Sequence, residues 1–169
     1  SVVTAADYDR DGDLDLFVGS RVHPTQYPVS PESHLLENRG GRFVDVTESV
    51  APTLQKVGLV TGALWTSIDG DPWRDLVVVG EWMPISVFEN QGGRLAPVTD
   101  SVGLSNTVGW WNSITSGDFD RDGDTDYVVG NLGKNTLLKN TSSGPVRMHF
   151  GDFNGDGRTD PIISRHVGD

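Results

Sequence analysis

The chain has 169 residues, 36% of them apolar, and a net charge of −11. That length can bury a core, and the composition argues against wholesale disorder, while the charge disfavours nucleic acid and anionic lipid as partners. No apolar run approaches the roughly 20 residues of a membrane helix, so no membrane insertion is expected. The absence of cysteine excludes disulfides, thiolate catalysis and cysteine-ligated zinc, and leaves the redox compartment open.

In chain order, the first predicted strand is Val2 to Ala6. Without an initiator Met or a signal peptide, the sequence opens inside a repeat and reads as part of a longer protein. An acidic loop follows (loop 1, Asp7-Tyr-Asp-Arg-Asp-Gly-Asp-Leu-Asp15), then the apolar run Leu14 to Gly19. His34 to Asn38, a Gly-rich turn and Arg42 to Thr47 predict a hairpin. Val60 to Ile68 leads into loop 2, Ser67-Ile-Asp-Gly-Asp-Pro-Trp-Arg-Asp75, and the run Asp75 to Gly80. Ile85 to Asn90 and Arg94 to Thr99 repeat the hairpin. Asn112 to Gly117, loop 3 (Asp118-Phe-Asp-Arg-Asp-Gly-Asp-Thr-Asp126) and Asp126 to Gly130 open a third unit, with Thr136 to Asn140 as its outer strand. Val146 to Gly151, loop 4 (Asp152-Phe-Asn-Gly-Asp-Gly-Arg-Thr-Asp160) and Asp160 to Ile163 begin a fourth.

The loop starts are separated by 60, 51 and 34 residues, the mark of an array. Short β-branched runs with Gly at their ends predict buried strands, and no long helical periodicity appears. The expectation is an all-β β-propeller fragment of about three and a half four-stranded antiparallel blades. Their spans are about 1–50, 56–100, 109–142 and 144–169. Such a stack leaves open edges, which neighbouring blades, or self-association of two copies into a ring of seven, would complete. Most of the five Trp are expected to pack between blades, with Trp73 the most exposed.

Of the 24 acidic residues, 16 lie in the four loops. Packing like charges this tightly is costly unless a cation sits among them. Calcium takes six to eight hard oxygens, and alternate residues of a tight loop can converge on one point. Loop 1 offers Asp7, Asp9, Asp11, the Asp13 carbonyl and Asp15. Loop 3 offers Asp118, Asp120, Asp122, the Asp124 carbonyl and Asp126. Loop 4 offers Asp152, Asn154, Asp156, the Arg158 carbonyl and Asp160. Glycine at the sixth position allows the turn. In loop 2, Ser67 replaces the first Asp and Pro72 the Gly, so Asp69, Asp71 and Asp75 predict a weak or empty site. About three calcium sites are expected. An EF-hand fails, because its twelfth position would be Val18, Val129 or Ile163, inside a strand. Magnesium prefers fewer protein oxygens, and manganese fits the same ligand type.

These loops, the strand ends such as Phe17-Val-Gly19 and the Leu-Glu-Asn/Gly-Gly/Phe-Val-Asp-Val-Thr hairpin resemble the FG-GAP or VCBS repeat family, best known from integrin α-subunit propellers. Gly130 to Asn135 and Gly144 to Asn154 are similar to secreted bacterial FG-GAP proteins with an ASPIC/UnbV region and to cartilage acidic protein. The resemblance implies a calcium-stabilised propeller at an extracellular, cell-surface or periplasmic location, used for adhesion or for binding a protein or glycan ligand. No integrin ligand-binding motif maps onto this chain. The leading reading is a non-catalytic module. The alternatives are part of a glycan-active enzyme, such as a propeller-type polysaccharide lyase, or a structural spacer. Against an enzyme, the four His form no pair at catalytic spacing, and no nucleophile elbow, P-loop or H-E-x-x-H is present.

Overall fold

The computed structural model describes residues 1–133, 136, 138 and 144–166. Its first sheet runs in chain order: β1 (Val2–Ala6), β2 (Asp15–Gly19), β3 (His34–Asn38) and β4 (Phe43–Asp45), every pair antiparallel. The second unit repeats this with β5 (Leu59–Thr66), β6 (Asp75–Met83), β7 (Ser86–Asn90) and β8 (Leu95–Pro97). β9 (Gly109–Gly117) pairs with β10 (Asp126–Asn131), and β11 (Arg147–Gly151) with β12 (Asp160–Ser164). The fold is all-β with antiparallel sheets, plus a one-turn helix at Thr47–Val50 and a 3₁₀ turn at Pro52–Leu54. Of the expected outer strand Thr136 to Asn140, only Thr136 and Leu138 are among the described residues.

Two features of the hairpins explain their repeated sequence. After β4, the Thr47 hydroxyl accepts the Leu35 amide at 2.8 Å, and after β8 the Thr99 hydroxyl accepts the Val87 amide at 2.9 Å. The shared Val-Thr thus terminates each fourth strand by satisfying an amide of the third. Glycine at the strand ends is a matter of space. A Cβ on Gly80 would lie 2.1 Å from the Leu59 carbonyl oxygen, and one on Gly19 would lie 2.5 Å from Val60 Cγ1.

β6 runs longer than its apolar stretch implies. Beyond Gly80 its register shifts, Trp82 takes a φ of +59°, and Glu81 and Met83 pair with Trp110 and Gly109 of β9. The second and third units therefore share one six-stranded sheet. β6 is buried along almost its whole length, as expected of a strand covered on both faces. Phe17, Leu35, Leu76, Val78 and Phe88 form the core with Tyr8, and Trp65 packs against it, its ring 6.3 Å from that of Tyr8. The expectation of burial fails for β10 and β12. Val128 and Ile162 are exposed, because among the described residues no further sheet covers those strands.

The connection between β2 and β3 carries a contact that sequence reasoning missed. Glu81, fully buried, receives the Arg21 guanidinium and, at 3.0 Å, the Tyr27 hydroxyl. Tyr27 in turn accepts the Trp82 indole N–H at 3.0 Å. A buried carboxylate is tolerated only when so paired, and this latch ties the first unit to the second.

Replacing Gly80 with Ala should cost about 3 kcal/mol through overpacking against backbone that cannot give, read as a lower urea midpoint at unchanged slope. A second expectation concerns Asp45. Burial alone would raise its pKa, but the Thr47 hydroxyl and amide, with His34 Nδ1 at 2.7 Å, outweigh it and hold the carboxyl below its ordinary value. Its contribution is therefore complete above the unfolded carboxylate pKa and lost as pH falls through the lowered one. Asp45→Asn should cost about 1 kcal/mol at neutral pH, a modest figure because the site is solvent-screened. Denaturation curves of the two proteins should converge in strong acid.

Candidate metal centres

Each acidic loop joins two antiparallel strands: β1 to β2, β5 to β6, β9 to β10, and β11 to β12. A common set of hydrogen bonds shapes them. The second residue's amide donates to the ninth residue's carboxylate in all four: Tyr8 to Asp15, Ile68 to Asp75, Phe119 to Asp126 and Phe153 to Asp160, at 2.7–3.2 Å. The fifth residue's amide donates to the third side chain: Asp11 to Asp9, Asp71 to Asp69, Asp122 to Asp120 and Asp156 to Asn154. The seventh residue's amide donates to the fifth side chain: Asp13 to Asp11, Trp73 to Asp71, Asp124 to Asp122 and Arg158 to Asp156. The carboxylates thus hold the backbone and leave further oxygens that a cation could use.

The fourth position is left-handed in every loop: Arg10 at +64°, Gly70 at +79°, Arg121 at +68° and Gly155 at +76°. Sequence reading assigned the turn to the sixth position alone, where Gly12, Gly123 and Gly157 are left-handed too. The signal at the fourth position was hidden in loops 1 and 3, where Arg occupies a conformation that costs a non-glycine residue about 1–2 kcal/mol.

In loop 1, one oxygen each of Asp7, Asp9 and Asp15 lies within 4.8 Å of the others, and in loop 3 Asp118, Asp120 and Asp126 do the same. Two charges at that spacing repel by about 3.5 kcal/mol at an effective dielectric of about 20. The Asp7 Oδ1 atom is buried and has no hydrogen-bond partner. An acceptor left dry among other carboxylates is the condition a cation relieves, so loop 1 fits a hard oxygen-seeking ion. Burial, and then the charge of neighbouring Asp residues, raises the Asp9 and Asp15 pKa values against the lowering effect of the amides. Asp11 and Asp122 stand outside these three-carboxylate groups, each with Oδ1 on the seventh residue's amide. The Asp13 side chain turns to the Gly40 amide at 3.3 Å.

Loop 4 has the same trace but does not bring three carboxylates together, since Asn154 fills the third position. Both oxygens of Asp152 already accept amides, from Gly155, Asp156 and Gly157. Loop 2 shows why Ser67 and Pro72 occur together. In loops 1, 3 and 4 the sixth residue's amide donates to the first Asp: Gly12 to Asp7, Gly123 to Asp118 and Gly157 to Asp152. Pro72 has no N–H to give, and Ser67 offers no carboxylate to receive it. Instead the Ser67 hydroxyl donates to the Asp71 carbonyl at 3.1 Å. Trp73, expected to be exposed, is half-buried beneath the Arg10 guanidinium, 5.4 Å from the ring centre.

The ninth Asp also reaches across its sheet. Asp15 Oδ1 accepts the Asn38 amide and Asp75 Oδ1 the Asn90 amide, both at 2.8 Å. In both cases the Asn stands at the end of the third strand, where its side-chain oxygen takes an amide of the next turn, Gly41 or Gly93, at 2.7 Å.

These features define an all-β repeat protein whose units are antiparallel sheets tied at one end by acidic loops. Residues 68–129 match the family model described as FG-GAP-like repeat, a stretch running from loop 2 through loop 3 into β10. That stretch is similar to an FG-GAP-like repeat, which suggests a β-propeller-type binding module. No curated protein matches the chain.

Asp75→Ala would leave the Ile68 and Asn90 amides without acceptors and should cost about 3 kcal/mol. That loss should be read by urea denaturation in excess chelator, where no ion contributes to the stability of either protein.

Proposed function

We propose that the chain is a non-catalytic, calcium-stabilised β-propeller module that works outside the cytoplasm, in adhesion or in binding a protein or glycan. The observation that carries this reading is the convergence of three carboxylates in loops 1 and 3, together with the orphaned Asp7 oxygen in loop 1. Asp7, Asp9 and Asp15 would hold one ion, and Asp118, Asp120 and Asp126 another, with Asp11, Asp122 and the Asp13 and Asp124 carbonyls available to fill the shell. Loop 4 supplies a weaker third site. Calcium would cancel the repulsion within each loop and so fix the angle at which two strands leave it.

The role is structural. An ion that binds only the folded form adds RT ln(1 + [L]/Kd), about 1.4 kcal/mol per site at roughly ten times Kd. A loop Kd of about 10⁻⁴–10⁻³ M, the range used by extracellular modules, is what a role outside the cytoplasm would call for. The carboxylates that could act as acid or base are engaged in holding their loops, which supports a binding role over a catalytic one. Closure of the ring would require further blades or a second copy of the chain.

Differential scanning calorimetry in millimolar calcium and in excess chelator should show a melting temperature lower by several degrees without the ion. Paired Asp→Asn changes at Asp118 and Asp120 should remove part of that difference. An identical melt after verified metal loss would overturn the structural role of calcium.

A further inference from the structure

Loop 1 differs from loops 3 and 4 in what presses on it. Tyr8, at its second position, is 1% exposed, whereas Phe119 and Phe153 at the same position are 58% and 60% exposed. The cover comes from the second unit. Asn90, itself 1% exposed, donates through Nδ2 to the Tyr8 carbonyl at 2.7 Å and to the Arg74 carbonyl of loop 2 at 3.1 Å. The turn after Asn90 lies against the loop, so that a Cβ on Gly93 would sit 3.8 Å from Asp9 Cβ. On the outside, Arg10 at the fourth position of loop 1 lies over Trp73 of loop 2. One buried side chain and one aromatic ring therefore fix loop 1 at two points on either side of Asp9, both from across the unit boundary.

We propose that the second unit is a working part of the loop 1 cation site, with Asn90 and Trp73 as positioning residues that hold Asp7 and Asp9 in their binding arrangement, while loop 2 serves as their rigid support without binding an ion itself. This rests on the calcium reading of loop 1. Three features of loop 2 suit it to that task. Ser67 and Pro72 replace the first carboxylate and the amide it would have held, so the loop keeps its trace by a hydroxyl–carbonyl bond that needs no cation. Pro72 stiffens the residue before Trp73. Asp75 anchors Asn90 through its backbone amide, leaving the Asn90 carboxamide to reach Tyr8 and Arg74. A loop held in shape before the ion arrives loses less entropy on binding, and so binds more tightly, than one that must order around it. Loop 1 should then bind calcium more tightly than loop 3, although the two carry the same five Asp positions.

The test is a calcium chloride titration of the full ¹⁵N-labelled chain, following the Gly12 amide, which donates to Asp7, and the Gly123 amide, which donates to Asp118. In the unaltered protein Gly12 should saturate first. Asn90→Ala should weaken loop 1 about tenfold, equivalent to about 1.4 kcal/mol, and leave loop 3 within about twofold. Trp73→Leu, which removes the ring beneath Arg10 without changing the charge near the site, should weaken loop 1 about threefold and carries the test if Asn90→Ala fails to fold. Destabilisation without a role in binding would instead shift both loops together or neither. Midpoints for Gly12 that stay within about twofold in every folded variant would overturn the proposal while leaving the calcium reading intact. A Gly12 amide indifferent to calcium in the unaltered protein would overturn the reading of loop 1 itself.

Discussion

The ninth carboxylate of each loop accepts the amide of the second residue, and this one hydrogen bond turns a nine-residue excursion between two strands into a closed ring. Asp15 and Asp75 are fully buried and use their other oxygen for the amide of an Asn on the third strand. A single carboxylate in each of these units thus joins the loop, the second strand and the third. Burial raises the pKa of both groups against the lowering effect of those amides. Burial thus works against the charged form while the amides favour it, and the geometry around each carboxylate has to be satisfied on every side. Once that anchor is set, the first and third carboxylates have little freedom in where they point.

Repulsion and anchoring act together in loops 1 and 3. The amides that fix the carboxylates also bring them close enough to destabilise one another, and only partly compensate their charge. In the proposed reading a cation would supply the remainder. In loop 2 the conflict is removed differently, by deleting the first carboxylate and the amide that served it. Both solutions leave the flanking strands in the same antiparallel register. The strand pairing therefore does not depend on which solution is used, and loops with and without the full set of carboxylates can alternate in one array.

Much of this was legible in the sequence because it is local. The acidic loops, the two hairpins and the strands beside them depend on contacts within about ten residues, where alternation and turn chemistry speak directly. Asp7, Asp9, Asp15 and their loop 3 counterparts could be picked out by spacing alone. What stayed hidden depends on partners distant in the chain. Asn38 and Asn90 read as ordinary polar strand ends, although each repeats at the same place in its hairpin before Gly-Gly, which was the available signal. Glu81 lies just past the predicted run Asp75 to Gly80, and nothing in the connection from Ser20 to Ser33 announces that Arg21 and Tyr27 will meet it. The burial of β2 and β6 but not of β10 and β12 is likewise a property of neighbouring sheets and not of the runs themselves, which are equally apolar.

Conformational cost is distributed along the chain in a way that separates its two ends. The Gly at the end of β2 and in β6 sits where atoms crowd, at Val60 and at the Leu59 carbonyl, so that end of each sheet is fixed by packing. At the loop end, Gly12, Gly123 and Gly157 have open space around them and serve only their backbone angle. Crowding cannot set the shape of such a loop, and charge and hydrogen bonding must do so. Trp82 belongs to the crowded end. Its left-handed backbone costs about 1–2 kcal/mol, and it is held by the Tyr27 hydroxyl and by the Trp110 ring at 5.2 Å. The latch through Glu81 and the loops through Asp15 and Asp75 thus secure opposite ends of the same strands. An ion bound at one end acts on a sheet whose other end is already fixed, which is why its effect would be felt as stability and not as a change of fold.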